Sequence, residues 1–168
     1  MASPSPSVLS LSALSLVLAS GCTRAYLQNE GRYEFSAVDV LRDDCGLIST
    51  PDSLWDGTLS ISGDVVRLDS DWRHLRLIGA FLQQGGPDDS VTFSLDGTES
   101  NAAITLGTDE CIADQIAVHL EGTTQRATEF KGVMSVRVLP RVEQPSCACQ
   151  LWVTYRAVQN AAPSASFP

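Results

Sequence analysis

Thr58-Leu59-Ser60-Ile61-Ser62-Gly63-Asp64-Val65-Val66-Arg67-Leu68-Asp69 decides the fold. Apolar and polar residues alternate from Thr58 to Ser62, Gly63-Asp64 supplies a tight turn, and Val65 to Asp69 resumes the strand. A period of two puts successive side chains on opposite faces. Two such runs around Gly-Asp read as a β-hairpin.

Outward from this hairpin the same period recurs. Leu75, Leu77, Gly79 and Phe81 alternate with Arg76, Ile78 and Ala80; Val91, Phe93 and Leu95 alternate with Thr92, Ser94 and Asp96. Gly97 to Asn101 reads as a turn into a separate strand, Ala102 to Leu106. Further strands are expected around Ile116 to Leu120, Met134 to Val138 and Leu151 to Tyr155. An earlier one, Arg32 to Val38, has Tyr33, Phe35 and Ala37 on one face. In each strand the apolar set fits a core and the alternate set fits water. Arg42 to Trp55 and Thr108 to Asp114 have room for a turn of helix, but no segment carries a helical stripe of useful length. About eight or nine short strands with short connections imply an all-β domain, a small antiparallel up-and-down barrel, with a two-sheet β-sandwich as the alternative. In strand number and size, Arg32 to Val158 loosely resembles the lipocalins, with no specific motif behind the likeness.

The chain has five cysteines, Cys22, Cys45, Cys111, Cys147 and Cys149. The last two stand two apart, and in extended backbone their α-carbons would be about 6.5–7 Å apart, at the edge of disulfide range. The expected arrangement pairs one of them with Cys45 and the other with Cys111, stapling the early and middle segments to the last strand. A zinc site would show a closer Cys/His spacing than Cys147-Ala148-Cys149 offers. A redox-active pair would require Cys45 and Cys111 to bond to each other.

Chemistry-bearing motifs are absent. There is no Gly-x-Ser-x-Gly, no phosphate-binding glycine loop and no His-Glu-x-x-His. His74 and His119 are isolated, Asp43-Asp44 and Asp88-Asp89 read as loop solvation, and Asp69-Ser70-Asp71 lacks the glycine and glutamate of a calcium loop. No acid–base or nucleophile–base pair can be nominated, so the chain is not expected to be an enzyme, nor to carry a cofactor or metal. Gly79 reads as a bulge or bend in its strand, or as a gap where a ligand approaches. Trp55, Trp72 and Trp152 read as half-buried caps. Arg67, Arg76, Arg137 and Arg156 fall on polar strand faces, and strand order decides whether they meet in a lumen.

The N-terminal run Val8 to Ala19 is apolar, too short for a membrane span, and ends in Leu16-Val17-Leu18-Ala19-Ser20-Gly21-Cys22. This stretch resembles the lipobox of bacterial lipoproteins. The resemblance implies that residues 1–21 are a signal peptide, that cleavage precedes Cys22, and that Cys22 carries fatty acyl chains such as palmitate. Thr23 after the cysteine implies outer-membrane sorting in a two-membrane cell. Cutting after Val17-Leu18-Ala19 by an ordinary signal peptidase is the alternative, and it would leave an odd cysteine, whereas lipidating Cys22 leaves four for disulfides. Residues 22–31 are then a lipidated tether, 32–158 one domain, and 159–168 an Ala/Ser/Pro-rich disordered tail.

With 20 acidic against 11 basic residues, a net charge of −9 and Lys131 as its only lysine, the chain is poorly suited to nucleic acid. The expected function is a lipid-anchored cell-envelope protein whose β domain binds a small or hydrophobic ligand. The alternative is a structural or assembly accessory docking to an envelope protein. An apolar cavity would favour the first, an exposed apolar patch or open strand edge the second.

Overall fold

The computed structural model describes residues 28–50, 54–82 and 91–160. Cys22, the signal segment and residues 161–168 lie outside the described residues. The strands run in chain order, β1 (Gly31–Asp43), β2 (Gly57–Ser62), β3 (Val65–Ser70), β4 (Arg76–Leu82), β5 (Thr92–Leu106), β6 (Asp109–Arg126), β7 (Glu129–Pro140) and β8 (Cys149–Gln159). Each is antiparallel to the next, and β8 pairs back onto β1, closing the ring. The protein is a meander barrel, not a sandwich.

The barrel has a short wall and a tall one. β2, β3 and β4 have 6, 6 and 7 residues, whereas β5 and β6 have 15 and 18. β1 pairs with β2 only over Gly31–Tyr33, and its remaining length is paired with β8. One rim carries both ends of the described chain and the turns β2–β3 and β6–β7. The other carries the β5–β6 tip, the 44–56 connection and both disulfides, Cys45–Cys149 (Cα–Cα 5.1 Å) and Cys111–Cys147 (Cα–Cα 5.9 Å). Cys147 sits in a 3-10 turn, Pro145–Cys147, just before β8. That turn breaks the extended geometry, so the two neighbouring cysteines reach different partners.

Several expectations need correction. The strands at Val91 and Ala102 are one, with no turn at Gly97 to Asn101. A Cβ at Gly97 would lie 2.7 Å from the Arg76 carbonyl oxygen, and Asn101 takes φ 53° where the β5–β6 register skips Asn101 and Asp114. The glycine allows close packing and the asparagine takes a left-handed conformation without shifting the register, so neither ends the strand. Arg42–Trp55 and Thr108–Asp114 hold no helix among the described residues. Arg42 belongs to β1, Asp43 accepts from the Leu47 and Ile48 N–H groups through its carboxylate, and Asp109 starts β6. Residues 28–31 belong to the barrel, not to a tether. Gln28 is buried and Asn29 donates its N–H to the Ala127 carbonyl at 2.7 Å. Gln159 ends β8, and Asn160 donates its N–H to the Arg32 carbonyl.

The interior is filled by side chains. Tyr33, Phe35, Phe93, Phe130 and Tyr155 are each at most 2% exposed. Phe130 is their hub, with ring centroids at 4.9 Å from Tyr33, 5.2 Å from Phe93, 5.7 Å from Phe35 and 6.0 Å from Tyr155. Gly122 and Gly132 face each other in the β6–β7 register; Gly122 makes room for this cluster, and Gly132 lets β7 lie close on the backbone of β6. A Cβ at Gly122 would lie 2.3 Å from the Phe93 ring.

Gly79 marks neither a bulge nor a ligand gap. Its register runs unbroken on both sides, opposite Val66 and Leu95, and an added Cβ would lie 1.7 Å from the Ser94 carbonyl oxygen. It is a place where backbone meets backbone. Gly79→Ala should force β4 off β5 and destabilise by at least the ~1–3 kcal/mol typical of overpacking. A urea-unfolding midpoint unchanged from wild type would refute this.

Candidate functional site

Exposed apolar side chains are displayed on the outside of the ring, in the β1–β8 region near the disulfide rim. Val38 is 68% exposed, and Leu41 and Trp152 are more than half exposed. Val38 and Leu41 are the two residues skipped by the β1–β8 register, so each sits in a bulge. A bulge inserts an unpaired residue and re-aims side chains. Val40 stands opposite the fully buried Val153 and on the same face, since directly paired residues share a side of the sheet. It is nonetheless substantially exposed, because β2 no longer stands beside β1 at that height.

The open flank of β1 is bridged by the 44–56 connection. Leu54 donates its N–H to the Phe35 carbonyl at 3.1 Å, and the Phe35 N–H donates to the Asp56 carboxylate at 3.3 Å. Beside this bridge lies a cleft of about 460 Å³ lined by Glu34, Phe35, Leu54, Asp56 and Asp71. Arg32 spans Asp56 and Asp71 across it. Trp55 and Trp72 stack on each other with centroids 4.2 Å apart and planes 13° from parallel. The Asp71 N–H to Asp56 carbonyl bond, 2.8 Å, holds their two segments together. They cap the short wall, as half-buried tryptophans should.

A second concavity, about 420 Å³, lies outside the sheet between β1 and β6. Val38, Val133, Lys131, Thr154 and Arg156 are among its walls. Arg156 is bonded to Glu129 at 2.7 Å, which lowers the Glu129 carboxyl below its ordinary range. Arg67 and Arg76 both donate to Asp69, holding its carboxyl low as well, and Arg137 flanks Trp152. These arginines stand outside the ring and do not converge in a lumen.

Arg73 and His74 take φ 57° and 53°, sparsely populated values for such side chains. Arg73 is held by two bonds to Glu99 and one of 2.8 Å to the Ala103 carbonyl. His119, on the outer face of β6, lies 2.8 Å from Asp96 and 3.3 Å from Glu121. Partial burial is the largest single influence on its pKa and lowers it. The hydrogen bonds and charges of Asp96 and Glu121 together outweigh that and raise it above the ordinary 6.5. Charged His119 therefore stabilises the fold below about pH 6.5, and that contribution is lost as pH rises through its folded value. Asp96→Asn should lower the His119 midpoint, read from its ring proton resonances. An unchanged midpoint would show that Asp96 does not hold the imidazolium.

Among the described residues no group of three His, Cys, Asp or Glu side chains is placed to hold a metal, and no helix is long and apolar enough to cross a membrane. Asp88-Asp89 lie outside the described residues. Sequence reasoning missed the Val38–Leu41 display, because two bulges in β1 break the alternation that a strand search follows.

Fold and surface together define a disulfide-stapled meander barrel with a packed interior and with exposed apolar side chains and shallow concavities on the outside. Comparison with protein-family models, curated proteins and solved structures finds no match to the chain.

Proposed function

We propose that this is a lipid-anchored protein of the cell envelope, acylated at Cys22 and sorted to the outer membrane where the cell has two. Its barrel serves as a non-enzymatic docking module for another envelope protein. The carrying observation is the distal half of β1, paired in the sheet with β8 alone and bearing exposed Val38 and Leu41 on its outer face. Exposed apolar clusters of this kind mark interaction sites, and bulges re-aim them while limiting unwanted edge pairing. The aromatic packing of the interior supports this reading over a ligand held inside the barrel.

A second reading keeps a small hydrophobic ligand, moved to the outer groove. Val38 and Val133 offer apolar walls there, and Lys131 offers a cation.

Native mass spectrometry of the full-length protein, gently extracted from its own membranes, tests both. A stoichiometric protein complex that is lost in a folded Leu41→Asp variant supports docking. An acylated chain carrying only a reproducible small-molecule adduct overturns docking in favour of the groove. An acylated chain alone overturns both.

A further inference from the structure

On the opposite side of the barrel lies a second apolar patch, at the other rim. Val65 opens β3 and Leu82 closes β4, both at the rim where β1 begins. Val65, Ile78 and Leu82 are 48%, 50% and 45% exposed, and Ala80 between them is exposed too. Register makes them contiguous, because Ala80 stands opposite Val65 and Ile78, Ala80 and Leu82 are alternate residues on the outer face of β4. Neighbouring strands border the patch with hydroxyls. Ser62 faces Val65 on β2, while Ser94 and Thr92 face Ala80 and Leu82 on β5. Among the described residues of β3, β4 and the β2–β3 turn, charge at the rim is confined to Asp64 in that turn, and further charges lie behind it. Arg67 and Asp96 flank Ile78 in register, and Arg67 and Arg76 share Asp69. An outward sheet face that is apolar toward the rim, bordered there by hydroxyls and arginine-bearing behind has the order of polarity of a bilayer interface.

The chain itself brings that rim to a membrane. Gln28 is pinned there, its side-chain amide donating to the Tyr33 hydroxyl at 2.5 Å and to the Ala127 carbonyl at 3.0 Å. Only five residues of chain, 23–27, separate it from Cys22, six Cα steps that reach about 20 Å at full extension. An acylated Cys22 therefore holds this rim, and not the disulfide rim, against the lipid.

We infer that the outer face of β3–β4 at this rim, Val65, Ile78, Ala80 and Leu82, seats on the surface of the membrane that holds the anchor. The inference rests on the acylation of Cys22 proposed above. It sets the barrel's pose: β3–β4 meets lipid, and Val38 and Leu41 face away from it, toward a protein partner.

The test uses full-length acylated protein in phosphatidylcholine vesicles whose acyl chains are brominated. Leu82→Trp places a reporter in the patch, and Thr108→Trp places one at the distal β5–β6 tip. Both sites are exposed, and the three native tryptophans give the common background. The added Leu82→Trp emission should shift to the blue and be at least halved by the bromolipid, while Thr108→Trp emission is unchanged. Vesicle-bound protein with no quenching at either site, or with quenching at Thr108→Trp, overturns the pose and leaves the anchor standing. A chain that lacks acyl mass and elutes apart from vesicles overturns the anchor and the pose together. A blue shift at Leu82→Trp that grows with protein concentration without lipid assigns the patch to a second copy and overturns the pose.

Discussion

Phe130→Ala is expected to cost the fold about 3–5 kcal/mol, the range for removing a buried aromatic. That is a large share of the ~5–15 kcal/mol that separates folded from unfolded domains. Phe130 is fully buried and touches Tyr33, Phe35, Phe93 and Tyr155, which come from β1, β5 and β8. Its loss leaves a cavity between three walls of the ring. The glycines at 122 and 132 cannot fill it, since both are already pressed by Phe93 or by the backbone of β6. The hydroxyl of Tyr155 donates to the Glu121 carbonyl at 2.9 Å and that of Tyr33 to the Asn29 carbonyl at 2.8 Å, so neither ring can swing inward without losing its bond. Urea unfolding followed by near-ultraviolet circular dichroism measures the loss. A change below about 1 kcal/mol would mean that the ring cluster collapses freely around the gap.

Removing the Cys45–Cys149 bond by a double alanine substitution should be comparably severe. This bond closes a loop of 104 residues and Cys111–Cys147 one of 36. Chain entropy assigns them about 4.7 and about 3.8 kcal/mol. The first bond also ties the start of the 44–56 connection to β8, and that connection is what flanks the open side of β1. Its loss should expose the Leu54–Phe35 bridge as well as the loop. Thermal unfolding of the two double variants side by side orders them. If the 36-residue loop proves the costlier to open, loop entropy is not the controlling factor.

Much of this architecture was legible in the sequence, and the failures have physical causes. The hairpin at Gly63-Asp64 is local, so its residues announce it, and Ser62 pairs with Val65 as the turn requires. Meander closure followed from short connections. By contrast, Gly97 and Asn101 carry turn chemistry but serve close packing and a local left-handed kink inside one long strand. β1 was read short because Val38 and Leu41 each add a residue and shift the alternation. The hub role of Phe130 could not be seen, since its partners lie far along the chain and meet it only through ring closure. Ile78 and Ala80 were legible as outward-facing, yet their contiguity with Val65 depends on the β3–β4 register.

The three-residue contact between β1 and β2 also decides how the molecule bears load. A pull on the N-terminal end draws on β1 along its own length. On one side it meets nine register pairs with β8, from Tyr33 to Asp43, which are strained together in shear. On the other it meets only Gly31 to Tyr33 against β2, so that seam parts first and β1 leaves the ring still fastened to β8. The Cys45–Cys149 bond closes the far end of that same β1–β8 ladder, so covalent linkage backs the strand pair that carries the tension.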